Sequence, residues 1–333
     1  MVMKFKYSLL MGLFALSGIF MSCDNEQHLL KDPVTALSND CIKRTLPTQP
    51  NIVGDVIEFA YAMAIPSNLG KLTSAQAEAT IAGAEGTRFD PNSYYTNNSG
   101  KDIGVLVCAD SQTSGPKTSI QFSADTCAAT LRYYYVIPEA ARGKQVSFKF
   151  SVKSSNGQTA EYELGPYSIS KMDMMVNQTL TNGADCYLSF HNEGEAVHIY
   201  SADEVSNASV AANIDLVYAY STLADVNHAF FTPAAPAELR PGVTIPSGVS
   251  ANSKLVRVYN LQDRQLSDLN NAKFIDDLDF EKMDFSGSMT YALRMGEQYG
   301  VWVETADGKY RAYVYVKSVA ANKMTISVKR YPM

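Results

Sequence analysis

Polar and apolar residues alternate strictly along Ser147-Phe148-Lys149-Phe150-Ser151-Val152, so one face of that segment is apolar and the other polar. Period two marks a strand with one buried face. Related patterns predict strands at Ile103–Ala109, Ser119–Ser123, Thr130–Ile137, Gln145–Val152 and Thr159–Ile169, after a β-branched start at Ile52–Phe59. Residues 75–82 also alternate, although their Ala, Gln and Glu favour helix. The period decides, and a strand is expected there. In Tyr133-Tyr134-Tyr135 the outer two rings must face away from the middle one. Asn156-Gly157 adopts positive φ cheaply and predicts a hairpin between the last two strands. About seven short strands broken by turn residues indicate an immunoglobulin-like β-sandwich over residues 51–172. The Cys…Trp…Cys core of antibody domains is missing, because the one Trp is Trp302.

Residues 173–333 read as a C-terminal α+β domain with an antiparallel sheet, giving a mainly β chain. Strands are expected at Cys186–Phe190, Ala196–Tyr200, Ile214–Tyr220, Thr290–Arg294, Gly300–Glu304, Lys309–Ser318 and Met324–Arg330. Asp307-Gly308 predicts a tight hairpin. Ser201-Ala202-Asp203-Glu204 fits a capping box and predicts a short helix to about Ala212. Leu261–Leu269 predicts another, and the proline-rich stretch 232–250 reads as loop.

The first 22 residues have the composition of an export signal. Lys4 and Lys6 supply the positive start, Tyr7–Phe20 is almost wholly apolar, and Ser22 precedes Cys23. The run is shorter than the roughly 20 apolar residues a spanning helix needs. Residues 1–22 therefore read as a lipoprotein signal peptide, with Cys23 as the lipid attachment site. Two or more acyl chains anchor stably where one does not, so no spanning segment is required. Residues 23–50, with Asp32-Pro33, Leu46-Pro47 and Gln49-Pro50, read as a lipid-anchored linker. The expected location is the outer membrane at the cell surface, with a periplasm-facing orientation as the alternative.

Three strings carry a resemblance. They are Leu131-Arg132-Tyr133-Tyr134-Tyr135-Val136-Ile137-Pro138-Glu139-Ala140-Ala141-Arg142-Gly143, Leu164-Gly165-Pro166-Tyr167-Ser168-Ile169-Ser170-Lys171-Met172-Asp173 and Gly300-Val301-Trp302-Val303-Glu304-Thr305-Ala306-Asp307-Gly308-Lys309-Tyr310-Arg311-Ala312-Tyr313. Together they resemble an uncharacterised family of Bacteroidetes two-domain surface lipoproteins, a domain-of-unknown-function group. The resemblance implies the address and the two-domain β layout and transfers no active site.

Chemistry is only bounded. With 28 basic and 34 acidic residues the chain is mildly acidic and has no nucleic-acid footprint. Of the four cysteines after Cys23, Cys108 and Cys127 are the candidate disulfide, and four buried thiols are the alternative. Asp277, Asp279 and Glu281 place oxygen ligands at alternate positions, as calcium favours, but Lys282 stands where a calcium loop needs Gly. A looser structural calcium is the one cofactor candidate, against a solvated acidic turn. His191, Glu193, Glu195 and His198 form the densest ligand group, yet Gly194 interrupts it and no His-Glu-x-x-His pattern exists. No nucleophile elbow, phosphate loop or dinucleotide fingerprint occurs. Among 20 tyrosines, Tyr94 and Tyr95 lie in a loop-like stretch and are the candidate ligand-binding aromatics. The expectation is a non-enzymatic module that binds a glycan or a protein. The alternatives are an envelope or fimbrial assembly lipoprotein and a glycan-acting hydrolase.

Overall fold

The structure, a computed structural model, describes residues 35–333. Ten strands build the first domain: β1 (Ser38–Lys43), β2 (Val56–Ala64), β3 (Leu72–Ala79), β4 (Arg88–Thr96), β5 (Asp102–Leu106), β6 (Gln112–Ser114), β7 (Lys117–Gln121), β8 (Ala128–Val136), β9 (Gln145–Ser154) and β10 (Thr159–Ser168). They form two five-stranded antiparallel sheets, in the orders β1-β2-β8-β4-β5 and β10-β9-β3-β7-β6. Alternation explains how these faces meet. Phe59 and Tyr61 of β2 and Leu131, Tyr133 and Tyr135 of β8 point inward onto Phe148 and Phe150 of β9. The rings interlock, with Phe59 4.7 Å from Phe148 and Tyr135 4.9 Å from it edge-on.

The helix-favouring alanines of β3 have a packing role. Ala77 lies opposite Phe150 and Ala79 opposite Phe148, and both alanines are buried. Small residues beside large rings fill the layer without overpacking. Period thus overrides propensity, as expected for residues 75–82. The hairpin at Asn156-Gly157 forms as expected, with Gly157 at φ +83°.

The linker expected over residues 23–50 is corrected for its described part. Residues 38–43 are β1, an edge strand paired along its length with β2, and Cys41 is buried in the sandwich core. The first domain therefore begins before residue 51. The expected disulfide is also absent: Cys41, Cys108, Cys127 and Cys186 are all free. The Cys108 thiol donates to the Pro91 carbonyl at 3.5 Å, while the Cys127 carbonyl accepts the Ile65 amide.

The second domain comprises β11 (Asp173–Thr181), β12 (Asp185–Ser189), β13 (His198–Ser201), β14 (Leu216–Tyr220), β15 (His228–Phe231), β16 (Lys254–Tyr259), β17 (Tyr291–Ala292), β18 (Tyr299–Glu304), β19 (Tyr310–Ala320) and β20 (Lys323–Pro332). These too make two antiparallel sheets, β11-β20-β19-β18-β16 and β13-β12-β14-β15-β17. Its helices are short: α1 (Ala208–Ala211), α2 (Arg264–Ser267) and α3 (Asp277–Lys282). At the expected capping box the Ser201 amide does donate to Glu204 Oε2 at 2.8 Å. The chain then makes only a 3₁₀ turn before Asn207 caps α1, so the helix expected from Ser201 is broken in two. Among the described residues no helix is long and apolar enough to cross a membrane.

The two domains share a core of their own. Ile52 from before β2 and Met172 from the β10–β11 connection pack with Phe280, Trp302, Tyr313 and Tyr331. Polar groups cross the same junction: Gln265 Nε2 donates to Asp55 Oδ2 at 2.9 Å and to the Pro50 carbonyl at 3.3 Å.

Candidate functional site

Strand alternation leaves a row of alanines on the outer face of the first sheet. Asp40 of β1 faces Ala62 of β2, and Ala64 of β2 faces Ala128 of β8, so no large side chain fills this area. The result is a trough of about 590 Å³ with Ala62, Ala64 and Ala128 as its floor. Asp40 and Thr130 offer polar groups within it, and Tyr94 and Tyr95 form one wall. The two tyrosines belong to β4 rather than to a loop, which corrects the sequence reading. Loop-like polar residues at 91–93 misled it, because Pro91 sits where the β4–β8 register shifts between Phe89 and Ser93. Tyr95 is 56% exposed, whereas Tyr94 is half-buried.

An ion network holds this wall. Arg132, on the outer face of β8, donates to Asp102 of β5 at 2.7 Å and lies 5.3 Å from the centre of the Tyr94 ring. Arg44, just past β1, bonds Glu58 at 2.9 Å and comes within 3.6 Å of Asp102. Asp102 sits on the far edge strand yet reaches both arginines, so the start of β5 lies across the outer face of β8. The Thr96 hydroxyl, then Arg132 and Arg44, hold the Asp102 carboxyl below its ordinary pKa. Arg88 covers Tyr134 at 4.9 Å. Tyr134 thus faces outward while Tyr133 and Tyr135 are in the core, as alternation requires. An open aromatic wall, a flat apolar floor and a few convergent hydrogen-bonding groups suit an extended polar ligand.

The remaining sequence candidates do not converge. The acidic run forms α3, and its carboxylates have separate duties. Asp276 caps the helix through the Leu278 and Asp279 amides, Asp279 returns a bond to the Asp276 amide, Ser170 donates to Asp277, and Tyr331 donates to Glu281. Asp277, Asp279 and Glu281 are therefore not assembled as a calcium site, and among the described residues no three His, Cys, Asp or Glu side chains are placed to hold a metal ion. His198 pairs with Glu195 at 2.9 Å, while His191 turns away to Asp215 at 3.2 Å. Cys23 lies outside the described residues.

His191 has a consequence for stability. Its bond to Asp215 raises the ring above its ordinary pKa of 6.5, with burial opposing and Asp307 adding. A folded value above the unfolded one gives stability that is complete below the unfolded pKa and is lost as pH rises through the folded one. The urea midpoint should therefore fall between about pH 6 and about pH 8, and fall less in His191→Asn. Parallel slopes for the two proteins would exclude this role.

Sequence reasoning missed Asp40 and Arg132. The first lay in the stretch read as linker, and Arg132 was read only as part of a strand. A charged residue inside an otherwise apolar strand was the available signal for Arg132.

Residues 34–169 match the family model described as domain of unknown function DUF4466, and residues 170–333 match that of DUF8576. The two models meet where β10 passes into β11. A crystal structure of a DUF4466 family protein from Parabacteroides merdae ATCC 43184 is 64% identical, with a TM-score of 0.88, and the match covers 90% of this chain and 100% of that one. BcpA, the major pilin subunit of Bacillus cereus, is 14% identical with a TM-score of 0.29 over 57% of this chain and 59% of that one. The Actinomyces fimbrial adhesin FimA is 14% identical with a TM-score of 0.23 over 64% and 92%. Likenesses this weak say nothing about what this chain does. None of the curated proteins matches it.

Proposed function

The chain belongs to the DUF4466 family, and from that premise we propose that it is a non-enzymatic binding module of the cell surface, lipid-anchored at Cys23, that holds a glycan in the trough beside Tyr94 and Tyr95. The observation that carries this reading is the alanine-floored trough walled by Tyr94 and Tyr95. Sugar rings present flat C–H faces to tyrosine and hydroxyls to groups such as Asp40 and Thr130. Calorimetry or a glycan array with the folded chain tests it. Tyr95→Ala should weaken binding about tenfold or more, as loss of an aromatic anchor does. Stability should change by less than about 0.5 kcal/mol, because the ring is exposed. No binding across neutral and acidic glycans, or neutral-glycan binding indifferent to Tyr95 and Asp40, would sink the reading. The anchor is tested separately: protease should digest the folded domains on intact cells, and Cys23→Ala should release the protein from the membrane.

One observation favours the assembly alternative. Val105 and Leu106, on edge strand β5, are 51% and 67% exposed, and such an edge can accept a partner strand. An oligomer in solution that Leu106→Lys dissociates, together with no glycan binding, would replace the first reading with this one.

A further inference from the structure

A second cavity, of about 650 Å³, opens between the domains. It lies among the segment after β1, the end of β10 and the start of α3. Domain junctions are common places for small-molecule sites, and the size is within their range. We infer that this cleft binds the carboxylate-bearing ring of an acidic sugar, with Lys43 taking the carboxylate and Asp276 taking ring hydroxyls.

Lys43 is half-buried on the first-domain wall. Its ammonium lies 5.3 Å from the centre of the Tyr167 ring and donates to Asn51 Oδ1 at 3.2 Å. Asn51 is in turn fixed by donating to the Ser168 carbonyl at 2.9 Å. The ammonium has three donors, and this is the one bond it makes among the described residues; no carboxylate there lies within ion-pair distance. Two donors therefore remain, on a side chain already held in place. Two unspent N–H donors at one end of a cleft form a site for an acceptor, and a charged acceptor gains most from a lysine.

The opposite wall selects the rest of the ligand. Asp277 is occupied by the Ser170 hydroxyl. Asp276 uses one oxygen, Oδ1, for the α3 cap and leaves Oδ2 without a hydrogen-bond partner among the described residues. That wall repels a phosphate or sulfate dianion and accepts from hydroxyls. A uronic acid carries one carboxylate and several hydroxyls on one ring, which satisfies both walls. Pro50, Pro166 and Leu278 supply apolar surface for its C–H faces. The inference rests on the glycan reading for its ligand class and uses a different site.

The test is calorimetry of the full chain with trigalacturonate and with its methyl ester, which has the same rings without the charge. Trigalacturonate should bind, and the ester should bind at least about tenfold more weakly. Lys43→Met should cost a similar factor, and Tyr95→Ala should leave trigalacturonate binding unchanged. If Lys43→Met lowers Tm, Lys43→Gln with Tm intact takes its place and should weaken trigalacturonate by a similar factor. Equal binding of acid and ester overturns the inference, as does unchanged binding in a folded cleft variant, or displacement of the sugar by free glycine. Binding lost in Tyr95→Ala but kept in Lys43→Met overturns it while leaving the trough reading in place. Failure of both acidic and neutral glycans overturns both.

Discussion

Asp263→Ala is expected to destabilise the protein by about 3–5 kcal/mol, the usual cost of stripping one partner from a buried ion pair. Asp263 and Lys329 are both fully buried, and their side chains meet at 2.7 Å. The carboxylate does more than neutralise the lysine. Its Oδ1 caps α2 by accepting the Gln265 and Leu266 amides at 2.9 and 3.1 Å, and its Oδ2 accepts the Ile275 amide at 2.6 Å. Lys329 spends its other two donors on Gln265 Oε1 and the Ile275 carbonyl, at 2.8 and 2.9 Å. Alanine would leave an ammonium in the interior with only dipoles around it, and three amides without their acceptor. Because Gln265 also reaches Asp55, the damage would extend to the domain junction. The double change Asp263→Leu with Lys329→Met should be less destabilising than Asp263→Ala alone, since it removes both charges together. Urea denaturation of the three proteins decides this. A single variant within about 1 kcal/mol of wild type would mean the pair contributes like a surface one.

Asp173→Ala is expected to have an effect of similar size, again about 3–5 kcal/mol, and a different signature. Asp173 opens β11 and is shared by two arginines: Arg142 from the first domain, at 2.8 Å, and Arg330 of β20. Arg142 also donates to the carbonyls of Lys171 and Met172, and Arg330 to those of Phe190 and Asn192. The carboxylate is therefore the pin through the connection between the domains, and Arg330 is only 3% exposed. Without it Arg330 is left unneutralised in the interior, while Arg142 keeps only its pair with Glu139 and no longer ties the first domain to β11. Wild type should unfold in one transition, and the variant in two as the domains uncouple. Trp302 reports the event, because it is the one tryptophan and packs in the junction core 5.1 Å from Phe280. A single transition in calorimetry, coincident with the Trp302 signal and at the wild-type temperature, would rule out the pin. The interdomain cleft needs the same pin, so acidic-sugar binding at Lys43 should weaken along with it.

Much of the strand inventory was legible because side-chain alternation is a property of neighbouring residues. β9 alternates cleanly in sequence and in structure, and the glycine turns after β9 and before β19 need only a residue tolerant of positive φ. β1 and β4 were not legible. β1 is a six-residue edge strand that buries little besides Cys41, and β4 carries Asp, Pro, Asn and Ser in its middle. Their strand character comes from pairing with β2, β5 and β8 rather than from their own composition. Cross-strand context routinely outweighs such local preference. The calcium candidates Asp277, Asp279 and Glu281 scatter for a related reason: Asp279 closes the α3 capping box with Asp276, while Asp277 and Glu281 accept from the distant Ser170 and Tyr331.

The sequence by itself determined the mainly β, two-domain character of the chain and the inward and outward residues of its clearest strands. Period two and turn chemistry act over a few residues, so they can be read without a fold. Only the tertiary structure decided which charges meet. Arg132 finds Asp102 across 30 residues, Lys329 finds Asp263 across 66, and Arg330 finds Asp173 across 157. It also decided where no side chain stands, and so where the trough and the interdomain cleft open. Pairings and voids of this kind are set by sheet order and domain docking, which bring distant residues together and leave no mark in the local pattern.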